Sequence, residues 1–267
     1  MYNFTVHRPT TLRQAANLLA KDEEAKLLAG GHSLIPVMKF RLASPSSLVD
    51  LSKVEGLSGI ELRGRSIVIG AMTRHAEVAE SPIMKEHMPG LAAVPGSIGD
   101  PHVRNVGTIG GSIANNDPNA DYPAACLGLG ATIITNKRRI AADDFFTGMF
   151  STALESGEII TKVMFPITKK AAYEKFRHPA SGFALVGVFA SKRGSEIRVA
   201  VTGAGANGVF RVTAFEEALK KRFAAKTLDG MTIPATGINA DIHASAEYRA
   251  HLVGVLARRA VAAAAAG

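Results

Sequence analysis

Cysteine is almost missing from this chain: Cys126 is the single one among 267 residues. One thiol excludes an intramolecular disulfide, a thiolate zinc site and an iron–sulfur cluster built by this chain alone. A chain that does without disulfides fits a reducing compartment, and a cytoplasmic location is the expectation. Cys126 lies in the apolar segment Ala124-Ala125-Cys126-Leu127 and reads as a buried, unreactive thiol. Tryptophan is absent, and aromatic residues make up 6% of the sequence. The basic runs carry no interleaved aromatics of the kind that bind single strands, so no nucleic acid partner is expected. No uncharged apolar run reaches the roughly 18 residues that a membrane-spanning helix needs. Met1 to Pro9 lacks the basic start and apolar stretch of a secretory signal. His75, His87, His102, His178 and His243 show no metal-ligand spacing, and no serine–histidine–aspartate order stands out. No metal ligand and no catalytic side chain is therefore named.

Glycine is what the chain has in quantity, at 26 residues, alongside 47% hydrophobic content. That combination points to tight turns and close backbone packing. Net charge is +8, spread over short runs at Lys137-Arg138-Arg139, Lys169-Lys170 and Lys220-Lys221-Arg222. These read as solvated surface or as a docking face for an acidic partner.

Three units follow one another without a low-complexity linker or an internal repeat. Residues 1–55 read as strand, helix, strand, helix, strand: Phe4-Thr5-Val6, a helix from Thr11, Ala25 to Ala29, a helix over His32–Phe40 and Ser47 to Leu51. Pro36 sits in the first turn of the second helix, where a missing N–H is tolerated. Residues 56–168 open on a hairpin, Ile60-Glu61-Leu62 with Ser66 to Gly70. Helices at Thr73–Ala79 and Pro82–His87 follow, with a break at Pro89-Gly90. A long polar loop from Gly107 to Asp121 comes next, then a helix over Pro123–Leu129 and strands at Ala131–Ile134, Arg139–Ala141 and Ile159–Phe165. Residues 169–267 hold strands at Ala171–Arg177, Ala184–Lys192 and Ile197–Gly203. A helix over Phe215–Phe223 and a long one over Tyr248–Ala264 close the chain. The Ala260–Ala266 end reads as a frayed helix terminus.

Two glycine loops carry the chemistry. Leu27-Leu28-Ala29-Gly30-Gly31-His32-Ser33-Leu34-Ile35-Pro36 runs from a strand into a helix. A diphosphate needs several unpaired backbone N–H groups converging on it. Glycines clear the approach, and a helix N-terminus adds a favourable dipole. Taken alone, this stretch reads first as an ordinary tight strand-to-helix turn. The second loop, Gly107-Thr108-Ile109-Gly110-Gly111, leads into Asn115-Asn116-Asp117-Pro118-Asn119-Ala120-Asp121, whose side chains suit ribose and ribityl hydroxyls. Together the pair favours a large nucleotide with a diphosphate. A literal G-x-G-x-x-G at Gly203–Gly208 follows a strand but precedes the extended Val209-Phe210-Arg211-Val212, so it reads as a glycine hairpin and not a dinucleotide fingerprint.

Ala29 to Pro36 and Arg104-Asn105-Val106-Gly107-Thr108-Ile109-Gly110-Gly111-Ser112, continued by Asp117-Pro118 and Asp121 to Ala125, resemble the FAD-binding medium subunit of the molybdenum hydroxylase family. Aerobic carbon monoxide dehydrogenase and xanthine dehydrogenase belong to that family. Tyr173-Glu174-Lys175-Phe176-Arg177 and Val199 to Gly208 resemble its C-terminal domain. The resemblance implies an α+β chain: a PCMH-type fold in which two α/β subdomains clasp FAD, followed by an α+β C-terminal domain. It implies that Leu28, Ala29, Gly30, Gly31, His32, Ser33 and Leu34, with Gly107, Thr108, Ile109, Gly110 and Gly111, hold the diphosphate. Ala114, Asn115 and Asp121 would meet the ribityl or ribose region, Ile160 would pack near the flavin, and Lys175 would lie at its polar edge. Relatives place an aspartate and then an aromatic residue beside the flavin; here Ser181-Gly182-Phe183 keeps the aromatic and lacks the aspartate.

The same resemblance implies an oxidoreductase subunit. Its electrons would come from the [2Fe–2S] clusters of a small iron–sulfur subunit, with substrate oxidised in a large molybdopterin subunit, the whole a dimer of heterotrimers. The outgoing acceptor would be NAD, a quinone or oxygen. The single cysteine agrees, since this chain can hold none of those clusters. Two rival readings stand beside it: a self-contained flavin oxidase, and an assembly or scaffold protein that has lost FAD.

Overall fold

A computed structural model describes residues 1–267. In the first unit β1 (Thr5–His7), β2 (Lys26–Leu28) and β3 (Ser47–Asp50) form a parallel sheet in the order β1-β3-β2. Helix α1 (Leu12–Lys21) starts where the sequence says it should. Thr11 accepts from the Gln14 amide, and the Gln14 side chain reaches back to the Thr11 amide. Helix α2 (Leu34–Lys39) begins two residues later than expected, because Ser33 occupies the cap position without making a capping bond. A small core of Ala15, Ala25, Val49, Leu51 and Val54 closes this unit.

The second unit is built on an antiparallel sheet, β4-β5-β10-β6-β7, from β4 (Ile60–Arg63), β5 (Ser66–Gly70), β6 (Thr132–Thr135), β7 (Arg139–Ala141) and β10 (Ile160–Pro166). Its helices are α3 (His75–Glu80), α4 (Pro82–His87), α5 (Pro89–Gly96), α6 (Pro101–Val106), α7 (Ile109–Asn115), α8 (Asp121–Leu129) and the single turn α9 (Ala142–Phe145). A two-stranded hairpin, β8 (Phe146–Gly148) with β9 (Ser151–Thr152), follows α9. Three expectations are corrected here. Pro89-Gly90 opens α5 and does not break a helix, since Pro89 takes the first helical position; bare Gly90 lets α5 sit against the Ala171 carbonyl. Helix α6 was not anticipated; Asp100 caps it by accepting from the Val103 amide, with Pro101 behind. The presumed loop after Gly107 is helical from Ile109 to Asn115, capped by the Thr108 hydroxyl on the Gly111 amide.

The third unit is an antiparallel sheet, β11 (Lys170–Arg177), β12 (Ala184–Arg193), β13 (Glu196–Thr202) and β14 (Phe210–Arg211), with α10 (Thr213–Lys221) and α11 (Ala246–Ala266). β12 is buried on both faces. Val186, Val188 and Ala190 pack with Leu252, Val253, Leu256 and Ala260 of α11, while Phe189 belongs to the main core. Every residue of α8 is buried between the second and third sheets, and Gly128 admits the Phe189 ring at close range. The alanine-rich end is not frayed: α11 stays helical to Ala266, with Val261 and Ala264 buried, because alanine lets it lie close to the sheet. The glycine segment Gly203–Gly208 is the turn between β13 and β14, with left-handed glycines at both ends (φ +81° and +92°). It braces the polar stretch before α8: the Gly203 amide and the Thr202 hydroxyl both donate to the Pro118 carbonyl.

One ion-pair cluster ties the β6–β7 turn to the segment before β10. Glu158, its side chain sealed from solvent, accepts from the Arg138 guanidinium, the Thr135 hydroxyl and the Glu155 amide. These donors, Arg138 first, hold its carboxyl down at about 2 against an ordinary 4.5. The unfolded chain therefore takes up this proton first, and the stabilisation is present above pH ~4.5 and lost as pH falls toward 2. Glu158→Gln should cost about 1–3 kcal/mol at neutral pH and flatten that part of the acid-unfolding curve, measured by denaturant titration at several pH values.

Candidate functional site

The two glycine segments, far apart in sequence, meet. A Cβ on Gly30 would fall 2.4 Å from the Val106 carbonyl oxygen and 2.8 Å from the Gly107 Cα. A Cβ on Gly111 would lie 3.4 Å from the Ala29 methyl. So Ala29-Gly30 lies directly on Val106-Gly107, and Gly31 turns the chain into α2 with φ +73°. The amides of Ala29, Gly30, Gly31, His32 and Ser33 donate to no protein acceptor, and the His32 and Ser33 side chains are exposed. A run of amides with no protein acceptor, gathered beside a helix start, is a place for an anion. Leu28 and Leu34 flank the run, half-buried.

The second segment behaves differently. The Ile109 amide donates to the Thr73 carbonyl, Gly110 to Ala71 and Gly111 to the Thr108 hydroxyl. Gly107 needs no side chain because the His75 imidazole occupies that space, and Gly110 needs none because Ala71 does. This segment fixes the shape of the first more than it offers donors; Thr108 alone among Thr108–Gly111 keeps a free amide.

A second cluster gathers around Asp121, at the start of α8. Its carboxylate pairs with Lys175 Nζ at 3.0 Å, both side chains 4% exposed, and accepts from the Tyr173 hydroxyl. Lys175 also donates to the Ser97 carbonyl at 3.2 Å. Burial pushes the Asp121 carboxyl up and the Lys175 ammonium down, against the pull of each on the other. Nearby, the β11–β12 turn brings Gly182 up to Gly99 and leaves Phe183 half exposed. The Arg104 guanidinium donates to the Ile98 carbonyl and steadies the Ser97–Gly99 segment.

Helix α6 joins the clusters. Its entry at Gly99-Asp100 faces Gly182, and its exit at Val106-Gly107 faces Gly30. Six helical residues span roughly 9 Å, so an occupant reaching from the free amides to Lys175 must be long. The family model described as FAD binding domain in molybdopterin dehydrogenase matches residues 2–168. The chain belongs to the molybdopterin dehydrogenase FAD-binding family. It is 35% identical to the carbon monoxide dehydrogenase medium chain of Hydrogenophaga pseudoflava, over 98% of this chain and 96% of that one. It is 36% identical to the nicotine 6-hydroxylase medium subunit of Paenarthrobacter nicotinovorans, over 95% and 94%. A solved carbon monoxide dehydrogenase structure from H. pseudoflava superposes with a TM-score of 0.88 at 34% identity, covering 99% of this chain and 98% of that one. The fold is thus the PCMH-type one, and the protein is an FAD-binding oxidoreductase subunit of the molybdenum hydroxylase family.

The arrangement fits FAD: free amides suit a diphosphate, and the segment from Gly30 to Lys175 suits a molecule with a nucleotide at one end and a flavin at the other. The remaining anticipated residues fall in different places. Ala114 is exposed, and the Asn115 side chain makes no bond to the protein. Its neighbour Asn116 is structural: buried, left-handed, and donating to the Gly148 and Ser151 carbonyls at 2.8 Å each. Ile160 is buried in the main core where β10 begins, one residue before Thr161, whose carbonyl accepts from Ala71. Sequence reasoning quoted Arg104-Asn105-Val106 without seeing a helix there, and it missed Ser97–Val103 and the role of His75 altogether. The Asp100-Pro101 pair, an N-cap followed by a first-turn proline, was the available signal for α6.

Proposed function

We propose that this chain is the flavin station of a multi-subunit molybdenum enzyme. It takes electrons from the [2Fe–2S] clusters of a small subunit, while a large molybdopterin subunit oxidises the substrate, and it passes them to NAD, a quinone or oxygen. The observation that carries the reading is the set of free amides from Ala29 to Ser33, held open by bare contact between Gly30 and Gly107. Bound FAD supplies storage for two electrons and exchange of one at a time. The chain's own residues bind and orient. Ala29 to Leu34 with Thr108 cradle the diphosphate, and Ile109, Gly110 and Gly111 back them. Asn115, beside Ala114, reaches ribityl or ribose hydroxyls. Ile160 lines the flavin side, Phe183 covers its exposed edge, and Lys175, its charge held by Asp121, faces the polar edge.

We further propose that residues 1–55 and 56–168 form the two halves of the clasp and that 169–267 closes over it; each range holds its own main sheet. The main core runs across the last boundary, through Ala171, Phe189 and Ala200, which makes the third unit part of one body with the second. A chain with one cysteine leaves the clusters to a partner; the medium-chain and medium-subunit names of the relatives support partner subunits, and the assembly proposed is a dimer of heterotrimers. No helix is long and apolar enough to cross a membrane; the setting proposed here, from the near absence of cysteine, is the cytoplasm.

The test is spectroscopic. The full chain, reconstituted with FAD, should show flavin absorption and no cluster absorption, and should co-purify with a cysteine-rich small subunit when the partners are expressed together. A protein that stays colourless after reconstitution sinks the proposal.

A further inference from the structure

His75, at the start of α3, is 5% exposed, and its Nδ1 is sealed from solvent with no hydrogen-bond partner. Tyr122, wholly buried in α8, carries the same defect at its hydroxyl. The two rings lie side by side, centroids 5.4 Å apart and tilted by 41°. Two orphaned polar atoms on neighbouring buried rings are costly unless something joins them. A single buried water can do so. The wiring that strands fewest protons has the Tyr122 O–H donating to the water and the water donating to Nδ1. Nδ1 must then carry a lone pair, which puts the ring proton on Nε2.

Nε2 lies on the edge that faces the cofactor loops. A Cβ on Gly107 would meet it at 2.8 Å, and Gly107 is the residue against which Gly30 rests. His32, within the loop of free amides, is close enough for its charge to be felt at His75. Burial first, and His32 second, hold the imidazole neutral down to about 4. A neutral N–H donor at this spot serves a phosphate oxygen without placing a buried charge beside the loop.

We infer that His75 is a further cofactor-binding residue, donating from Nε2 to the diphosphate of FAD in a tautomer that Tyr122 fixes. The inference rests on the cofactor site proposed above and adds to it a side chain from outside both glycine segments. The test uses the full-length apo-protein titrated with FAD. His75→Leu should raise the dissociation constant about 10- to 100-fold, the scale of one hydrogen bond to a charged group. His75→Gln, whose amide can donate from nearly the same place, should stay within about 3-fold of wild type. Long-range proton–nitrogen correlation spectra of the apo-protein should show His75 protonated at Nε2, and Tyr122→Phe should redistribute that proton.

Wild-type affinity in His75→Leu overturns the inference while leaving the glycine cradle standing. So does equal loss in both His75 variants with a lowered apo melting temperature, which would make His75 a core residue only. A wild-type ring protonated at Nδ1 also overturns it. Failure of the wild-type chain itself to bind FAD is the separate outcome that removes the cofactor site.

Discussion

Gly30→Ala should purify without flavin and resist reconstitution, with an FAD dissociation constant raised at least about 100-fold, or about 3 kcal/mol. The added methyl would sit 2.4 Å from the Val106 carbonyl oxygen and 2.8 Å from the Gly107 Cα. Both obstacles are backbone, so no side chain can rotate out of the way, and overpacking of this kind costs about 1–3 kcal/mol by itself. The two segments must part, and the free amides then no longer converge. Gly31 is a milder site in space and a strained one in backbone. Its Cβ would meet only the Ile35 and Leu28 side chains, at 3.0 and 3.2 Å, but its φ of +73° penalises any other residue. Gly31→Ala should therefore weaken binding less than Gly30→Ala, and Gly31→Val, with its branch, should fall between them or join the stronger variant. Titration of the apo-proteins with FAD measures the order. A flavin content equal to wild type in Gly30→Ala would show that the diphosphate sits elsewhere.

Lys175→Met should destabilise the protein by about 3–5 kcal/mol, because it strands the buried Asp121 carboxylate with the Tyr173 hydroxyl as its one side-chain partner. For a chain of this size that corresponds to a melting temperature roughly 6–20 °C lower. The double variant Lys175→Met with Asp121→Asn should regain most of the loss, since neither partner is then left charged and alone. Differential scanning calorimetry on the three proteins decides it. A single Lys175→Met variant that melts within roughly 2 °C of wild type would mean the pair contributes nothing to the fold. The physical point is the position of the pair: it bolts α8 to β11 and, through the Ser97 carbonyl, to the segment that enters α6.

Where periodicity was strong, the sequence predicted the elements closely. The helical spacing of apolar residues after Thr11 marked α1, and the strands expected at Ala171–Arg177 and Ala184–Lys192 and the long helix expected over Tyr248–Ala264 all stand as β11, β12 and α11. Where it erred, another force had won. Gly110 and Gly111 have poor helix propensity, yet α7 forms over them because Thr108 caps its first turn and Thr73 and Ala71 take its amide protons. Pro89 looked like a stop and acts as a start. The final alanines looked loose and are held by packing. Helix α6 carries too little apolar pattern to be seen, and its place in the site depends on what its two ends touch.

By itself, the sequence determined the chemistry this chain brings: one cysteine and hence no cluster of its own, two glycine segments with the composition of a phosphate cradle, and a G-x-G-x-x-G that could not open a helix. Tertiary structure alone decided how the segments share the task. Gly30 must touch Gly107 for the cradle to exist, and Lys175 must find Asp121 across 54 residues of chain. His75 becomes interesting only once its Nδ1 proves to be sealed beside an equally unpartnered Tyr122. Such facts are invisible to local pattern because burial and hydrogen-bond satisfaction depend on what long-range packing brings together, and the residue types involved have the same local preferences wherever they stand.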